Sequence, residues 1–521
     1  MSKIAKATIG LMIATIMAKI LGFVREIVLA SSYGTSFYSD AYLIALNIPN
    51  VIVAAIGQAI ITTFIPLYYE TKKSNNKEET NKFISNLITI VAILCCIMSI
   101  VGIIFAEPIV KIFAMGFEGE TFILAVRFTR ILLLSTICLA LSYVITAFLQ
   151  ANNSFVIPGI MSLPYNIIVI ISIILSSKYG INIMIWGTLI GILSQTLFMI
   201  PSSIKNGLIY KPYLNLNDKY LRKMLILVMP VLISVFANQF NVMIDKTLAS
   251  TLSEGSVSSL NYANKLNLFI TGLFITSIIS VIYPRLSKLY NDHKKNKFNK
   301  TIVQTINCII LLILPVTIGA IVLSKPIVKL LFQRGVFDDK AVQMTSTALI
   351  FYSIGLIGIG LKDLLRRVFF SLQDTKTPMI NSMIAILVNI VLNMILVKFM
   401  GHGGLALSTS ISAILTTILL FRSLIKKIGD FGINNILKLF IKVTIASVTM
   451  GIIVYILYGE LYMSIGMNYA ISLFISIAVG AISYGIMIIL LKIEEIDIFI
   501  SSIEGKIKSK FGKSKNLNNV V

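Results

Sequence analysis

Glu107-Pro108-Ile109-Val110-Lys111-Ile112-Phe113 returns as Lys325-Pro326-Ile327-Val328-Lys329-Leu330-Leu331, the prolines 218 residues apart. Other landmarks keep nearly the same spacing. Phe64-Ile65-Pro66-Leu67 matches Ile282-Tyr283-Pro284-Arg285, each just before a basic segment, and Leu29-Ala30-Ser31 matches Leu248-Ala249-Ser250. Gln150 and Pro158 find counterparts in Gln373 and Pro378. Four matches in one order mark an internal duplication. Each copy accommodates about six apolar spans, an even number, so both copies enter a membrane from the same side and form parallel repeats.

The chain around this duplication is too apolar for water. Hydrophobic residues make up 57% and charged residues 13% of 521 positions, and the mean hydropathy is +0.91; a soluble domain carries about 25% charged residues. Runs at 83–105, 156–176, 301–323, 378–397 and 470–491 approach or exceed the ~20 residues that carry a helix across ~30 Å of hydrocarbon. Dividing the sequence at its polar and Gly/Pro breaks predicts an all-α polytopic membrane protein of about fourteen transmembrane helices. The expected domains are an N-lobe at 1–215 with helices 1–6, a C-lobe at 216–430 with helices 7–12, two added helices within 431–495 and a basic cytoplasmic tail at 496–521. Two parallel six-helix lobes would flank a central cavity.

A formal charge of +23 raises nucleic acid as a partner, but the Lys and Arg residues collect in short segments at 72–82, 205–223, 285–300, 422–438 and 506–515. The alternate connections at 34–39, 251–257 and 459–466 carry almost none. That alternation is the positive-inside pattern, which places both termini in the cytoplasm and excludes a nucleic-acid reading; membrane lipids with anionic headgroups are the expected secondary partners. Cys95, Cys96, Cys138 and Cys308 sit in apolar runs without metal-ligand spacing and read as packing residues. The opening run continues through Lys19, Arg25 and Glu26 with no small-residue cleavage site, which predicts a retained first helix.

Charges inside spans are costly and normally face a polar cavity or a partner. Lys19, Gly22 and Glu26 share one stripe of the first helix, with Arg25 beside it. Asp40 opens the second helix, where it could neutralise one of these cations, and Lys265 follows Asn261-Tyr262-Ala263-Asn264 in the second repeat. Lys19, Arg25 and Lys265 together would give a positive potential suited to a phosphate-bearing ligand; the structural alternative is a snorkelling Lys19 and a packing pair at Arg25–Glu26. Asn389 and Asn393 share a helix face, with Thr409 on the next span and Asp245 on the opening helix of the second repeat. These oxygens could hold Na+ or another monovalent cation, or the amides could join helices by hydrogen bonds. There is no nucleotide-binding loop, zinc signature or nucleophile motif, so the chain does not read as an enzyme.

Leu21-Gly22-Phe23-Val24-Arg25-Glu26, Ser39-Asp40-Ala41-Tyr42, Ile48-Pro49-Asn50, Asn261-Tyr262-Ala263-Asn264-Lys265-Leu266 and Gln373-Asp374-Thr375-Lys376-Thr377-Pro378 together resemble the MurJ (MviN) family of lipid II flippases. The resemblance implies the multidrug/oligosaccharidyl-lipid/polysaccharide exporter fold, a location in the bacterial cytoplasmic membrane, and lipid II as substrate, moved from the inner to the outer leaflet with no required cofactor. It also implies that Arg25 and Asp40 are functional positions and that Glu26 is a commonly acidic one. Two departures stand out. Lys19 and Lys265 occupy positions where many members have Arg, which keeps the charge without the bidentate fork, and Val51-Ile52-Val53-Ala54 replaces a stretch that is basic in many relatives. The alternatives are export of another lipid-linked oligosaccharide or an amphipathic drug, and a non-transporting scaffold that organises other peptidoglycan-synthesis proteins.

Overall fold

A chain this apolar must satisfy its backbone polar groups without water, and within hydrocarbon the α-helix does so inside a single segment. The computed structural model describes residues 3–73 and 77–493; the basic tail expected at 496–521 lies outside them. The first half runs through α1 (Lys3–Tyr33), α2 (Phe37–Lys73), α3 (Lys77–Ile104), α4 (Ala106–Phe113), α5 (Gly119–Leu133), α6 (Thr136–Ala151), α7 (Val156–Ile160), α8 (Ser162–Tyr179) and α9 (Asn182–Lys205). The second runs through α10 (Lys219–Ser250), α11 (Ser256–Leu273), α12 (Ile275–Asn291), α13 (Lys295–Val322), α14 (Ser324–Phe332), α15 (Asp339–Ile354), α16 (Leu356–Ser371), α17 (Lys376–Met400) and α18 (His402–Ile428). Then come α19 (Ile433–Gly459), one π-helical turn (Glu460–Ser464) and α20 (Tyr469–Leu490).

Among the described residues, ten helical segments are long and apolar enough to cross a membrane, and two bent pairs raise the number to twelve. With α1 and α10, of 31 and 32 residues, the chain is consistent with about fourteen spans.

The duplication is visible in local geometry. Its most repeated motif becomes the same short helix twice, α4 and α14. The pairs that follow, α5 with α6 and α15 with α16, bend by 43° and 44°. Both α6 and α16 end in one device: Asn153 and Gln373 take φ of 58°, and the next residue donates its N–H back across the final turn, Ser154 to Leu149 O and Asp374 to Phe369 O, each at 2.9 Å. This is a left-handed C-terminal cap on a non-glycine residue.

The described residues form two compact units. The first takes residues to Phe269 with Leu331–Ala348 and Ile386–Ser408. Its apolar core gathers α2, α3, α6, α9 and α10, with Phe64 stacked on Phe83 at 5.8 Å and Phe148 set edge-on to Tyr68. A β-carbon on Gly57 would lie 2.3 Å from the Tyr143 ring, so glycine is what lets α2 and α6 approach.

The second unit takes Ile270–Leu330, Leu349–Ala385 and the residues from Thr409 onward. Ile302, Ile306, Ile309 and Ile313 form a fully buried stripe on α13, spaced as one helix face demands. They pack with Leu361, Leu364, Leu365 and Val368 of α16 and with Leu439 and Val443 of α19. By contrast Ile93, Leu94, Ile97, Ile100, Val101 and Ile104 of α3 are exposed, as lipid-facing positions of a spanning helix should be.

Candidate functional site

Two helices of the first unit, α1 and α11, bring charge to one carboxylate. Glu26, on α1, is 3% exposed. Its Oε1 accepts from Arg25 Nη2 at 2.7 Å and lies 3.5 Å from Lys265 Nζ of α11, while its Oε2 accepts from Asn261 Nδ2 at 3.0 Å. Asn261 and Lys265 are one turn apart on α11, so a single helix face supplies both contacts. Arg25 is pinned from a third direction. Its Nη1 donates to Asn166 Oδ1 of α8 at 3.1 Å, and its guanidinium lies 5.2 Å from the centre of the Tyr165 ring. Gly22, one turn before Glu26, lies against Asn166, which a β-carbon there would meet at an ordinary contact distance of 3.7 Å.

The cluster is unevenly accessible. The side chains of Arg25 and Glu26 are 14% and 4% exposed, and that of Lys265 is 36% exposed. Arg25 is thus the fixed cation and Lys265 the one open to a ligand. Two cations around one carboxylate leave a positive excess in a weakly screened setting, which favours an anion.

Asp40 serves a neighbouring purpose. Its Oδ2 and Oδ1 accept from the backbone N–H groups of Gly255 and Ser258, each at 2.8 Å. It ties the start of α2 to the first turn of α11, where helical N–H groups lack intrahelical partners. Gly255 takes φ of +89°, and a β-carbon on it would meet Thr35 O at 2.4 Å. Both of Asp40's oxygens are therefore engaged by backbone, and neither bonds a cation among the described residues. Lys19 is exposed and forms no ion pair among the described residues.

A second polar chain lies on α10, α17 and the start of α18. Asn393 Nδ2 donates to Asp245 Oδ1 at 2.5 Å and to Asn389 Oδ1 at 3.1 Å, and Asn393 Oδ1 accepts from Ser408 Oγ at 2.6 Å. Asp245, Asn389 and Asn393 are thus brought together as expected. Ser408, the residue before Thr409, completes this chain. All four residues offer hard oxygen donors, the kind an alkali cation takes. As arranged, however, Asn393 turns its N–H rather than its oxygen to Asp245; a cation there would require the amide to rotate. Among the described residues no group of three or more His, Cys, Asp or Glu could hold a metal ion.

Tyr165 and Asn166 were not foreseen as partners of Arg25. The available signal was a polar pair, Tyr165-Asn166, inside an apolar run, the same kind of signal that marks Asn389 and Asn393. A cavity of about 650 Å³ elsewhere in the first unit is lined by hydroxyls and by Glu254, Asp338 and Lys340; none of the cluster residues borders it.

Comparison with known proteins gives a consistent result. The family model described as lipid II flippase MurJ matches residues 29–479. A probable lipid II flippase MurJ of Buchnera aphidicola subsp. Acyrthosiphon pisum is 30% identical over 81% of this chain and 84% of that protein. The lipid II flippase MurJ of Thermosipho africanus is 31% identical over 86% of this chain and 95% of its own. A solved lipid II flippase MurJ in an inward closed conformation superposes with a TM-score of 0.80 at 31% identity, covering 92% of this chain and 97% of that one. An inward-facing multidrug resistance MATE family transporter of the MOP superfamily gives a TM-score of 0.64 at 16% identity, over 79% of this chain and 95% of that one, and shows the shared fold.

Proposed function

Because this chain belongs to the MurJ family of lipid II flippases, we propose that it carries lipid II, the undecaprenyl-diphosphate-linked disaccharide-pentapeptide precursor of peptidoglycan, from the inner to the outer leaflet of the bacterial cytoplasmic membrane. The observation that carries the reading to particular residues is the convergence of Arg25 and Lys265 on Glu26 in apolar helices. The diphosphate displaces Glu26 as the partner of these cations, accessible Lys265 first, while Arg25 stays held by Asn166 and Tyr165. The polyprenyl tail remains in lipid. Two lobes open alternately to the two sides, both termini lie in the cytoplasm, and no covalent bond changes during the cycle.

The second element of the proposal is energetic. Asp245, Asn389, Asn393 and Thr409, with Ser408, hold a monovalent cation once the Asn393 amide turns over. Moving one charge through 100 mV supplies about 2.3 kcal/mol for resetting the carrier.

The test uses cells in which this chain is the only flippase, exposed to an extracellular toxin that cleaves lipid II. Cleavage of lipid II at the outer leaflet is the expected result. Its absence, with the protein normally inserted, would move the assignment to another lipid-linked oligosaccharide or to a scaffold.

A further inference from the structure

Lys246 carries a charge that the site described above does not use. α10 presents Asp245 and Lys246 in succession, and a helix turns by about 100° per residue, so the two side chains leave on different faces. Asp245 goes to Asn393 on α17. Lys246 goes to α2, where its Nζ donates to the carbonyl of Leu43 at 3.4 Å, its one hydrogen bond among the described residues. Asp245 is therefore not its counter-ion. Lys265 and Glu26 are the ionisable groups within electrostatic reach of Lys246, which makes no ion pair with either among the described residues.

One helical turn beyond Leu43, on the same side of α2, stands Asn47. Its Nδ2 is buried and has no acceptor among the described residues. A partly buried ammonium with one long bond to a neutral carbonyl and a buried amide donor with none are both costly in a membrane. Placed together they lack the same thing, a charged oxygen.

We infer that Lys246 and Asn47 form a second phosphoryl subsite beside the Arg25–Lys265 cluster, and that this subsite selects lipids linked through a diphosphate over lipids linked through a single phosphate. The inference rests on the functional reading above. Once a phosphoryl group is bound and Lys246 holds its proton, Arg25, Lys265 and Lys246 with the one carboxylate of Glu26 leave two positive charges, which match the two negative charges of a diphosphate diester. Without Lys246 one positive charge remains, the match for a single phosphodiester. Lys246 thus sets which class of glycolipid carrier the site accepts.

The experiment measures binding to purified full-length protein in nanodiscs of neutral lipid. Two probes share one polyprenyl chain and one sugar, joined through a diphosphate in the first and a single phosphate in the second. Native protein prefers the diphosphate by about tenfold or more, a typical scale for one charge-assisted contact. Lys246→Met weakens diphosphate binding by about that factor and changes single-phosphate binding less than about threefold. Lys246→Arg keeps the preference, and Asn47→Leu reduces it by about threefold. Lys246→Gln repeats the comparison without the apolar side chain, should Lys246→Met fail to fold. An unchanged preference in Lys246→Met or Lys246→Gln overturns this inference and leaves the proposed function standing. Native protein that binds neither lipid overturns both.

Discussion

The two polar clusters of the first unit are built from similar parts and have opposite characters. Around Glu26, cations outnumber the carboxylate and every carboxylate oxygen is engaged. Asp245 makes no ion pair among the described residues; its carboxylate is met by the Asn393 amide, which in turn bonds Asn389 and Ser408. The first is a cation-rich cluster and the second a carboxylate among neutral groups, although α10 carries Asp245 and Lys246 side by side. The difference shows how a helix in a membrane can serve two electrostatic sites at once: adjacent residues leave on different faces, and each finds its own partners.

The sharpest way to break the contrast is at Arg25. Arg25→Ala removes the fixed cation and strands the Asn166 and Tyr165 contacts, so transport in the toxin-cleavage assay should fall more than about a hundredfold; Arg25→Lys, lacking the planar fork, should recover only part of it. Normal transport by a well-expressed Arg25→Ala chain would remove Arg25 from the site. Asp245→Asn probes the other cluster. It keeps the hydrogen bonds' shape and removes the charge, so transport should drop about tenfold and lose its dependence on the monovalent cation. If both transport and ion dependence survive, the cation assignment should be dropped.

Smaller effects separate positioning from binding. Asp40→Ala leaves the N–H groups of Gly255 and Ser258 without acceptors, a loss of about 0.5–2 kcal/mol by analogy with helix caps, readable in thermal unfolding of purified protein. Asp40→Asn should recover part of it, since one oxygen remains.

The smallest effect expected lies in the second unit, where the turn between α16 and α17 holds Asp374. Burial alone would raise this carboxyl's pKa, but the Lys427 ammonium and the N–H and hydroxyl of Thr377 outweigh burial and hold it down at about 2. A carboxyl depressed in the folded state stabilises fully above its ordinary range and loses that contribution as pH falls through the folded value. Asp374→Asn should therefore be less stable than native at neutral pH, the gap closing between about pH 4 and pH 2. A gap independent of pH would show that the contribution is not ionic.

Much of this organisation was legible in the sequence because it repeats. The recurrence around Pro108 and Pro326 predicted equivalent segments, and both became short helices ahead of a bent pair. The bends themselves were not legible: apolar composition runs through both breaks, and hydropathy does not record direction. At the site, adjacency marked Arg25 and Glu26, and charge marked Lys265. Asn166 lies 140 positions beyond Glu26, and its link to Arg25 depends on how α1 packs against α8, which periodicity cannot supply. Ser408, which reaches Asn393, carries no charge and lies one residue before Thr409, so nothing in the sequence marks it. Asp40 was noticed for its charge and is engaged instead by backbone N–H groups that a sequence does not display.

The central claim is that Glu26 holds the cations ready and must be displaced by the diphosphate. Glu26→Gln tests it by measuring, on one purified preparation, both the affinity for a polyprenyl diphosphate lipid in nanodiscs and the rate of its movement across reconstituted vesicles. Removing the competing charge should tighten binding by about tenfold and slow movement, because release becomes harder. Binding that weakens in step with transport, or remains unchanged, would contradict the account.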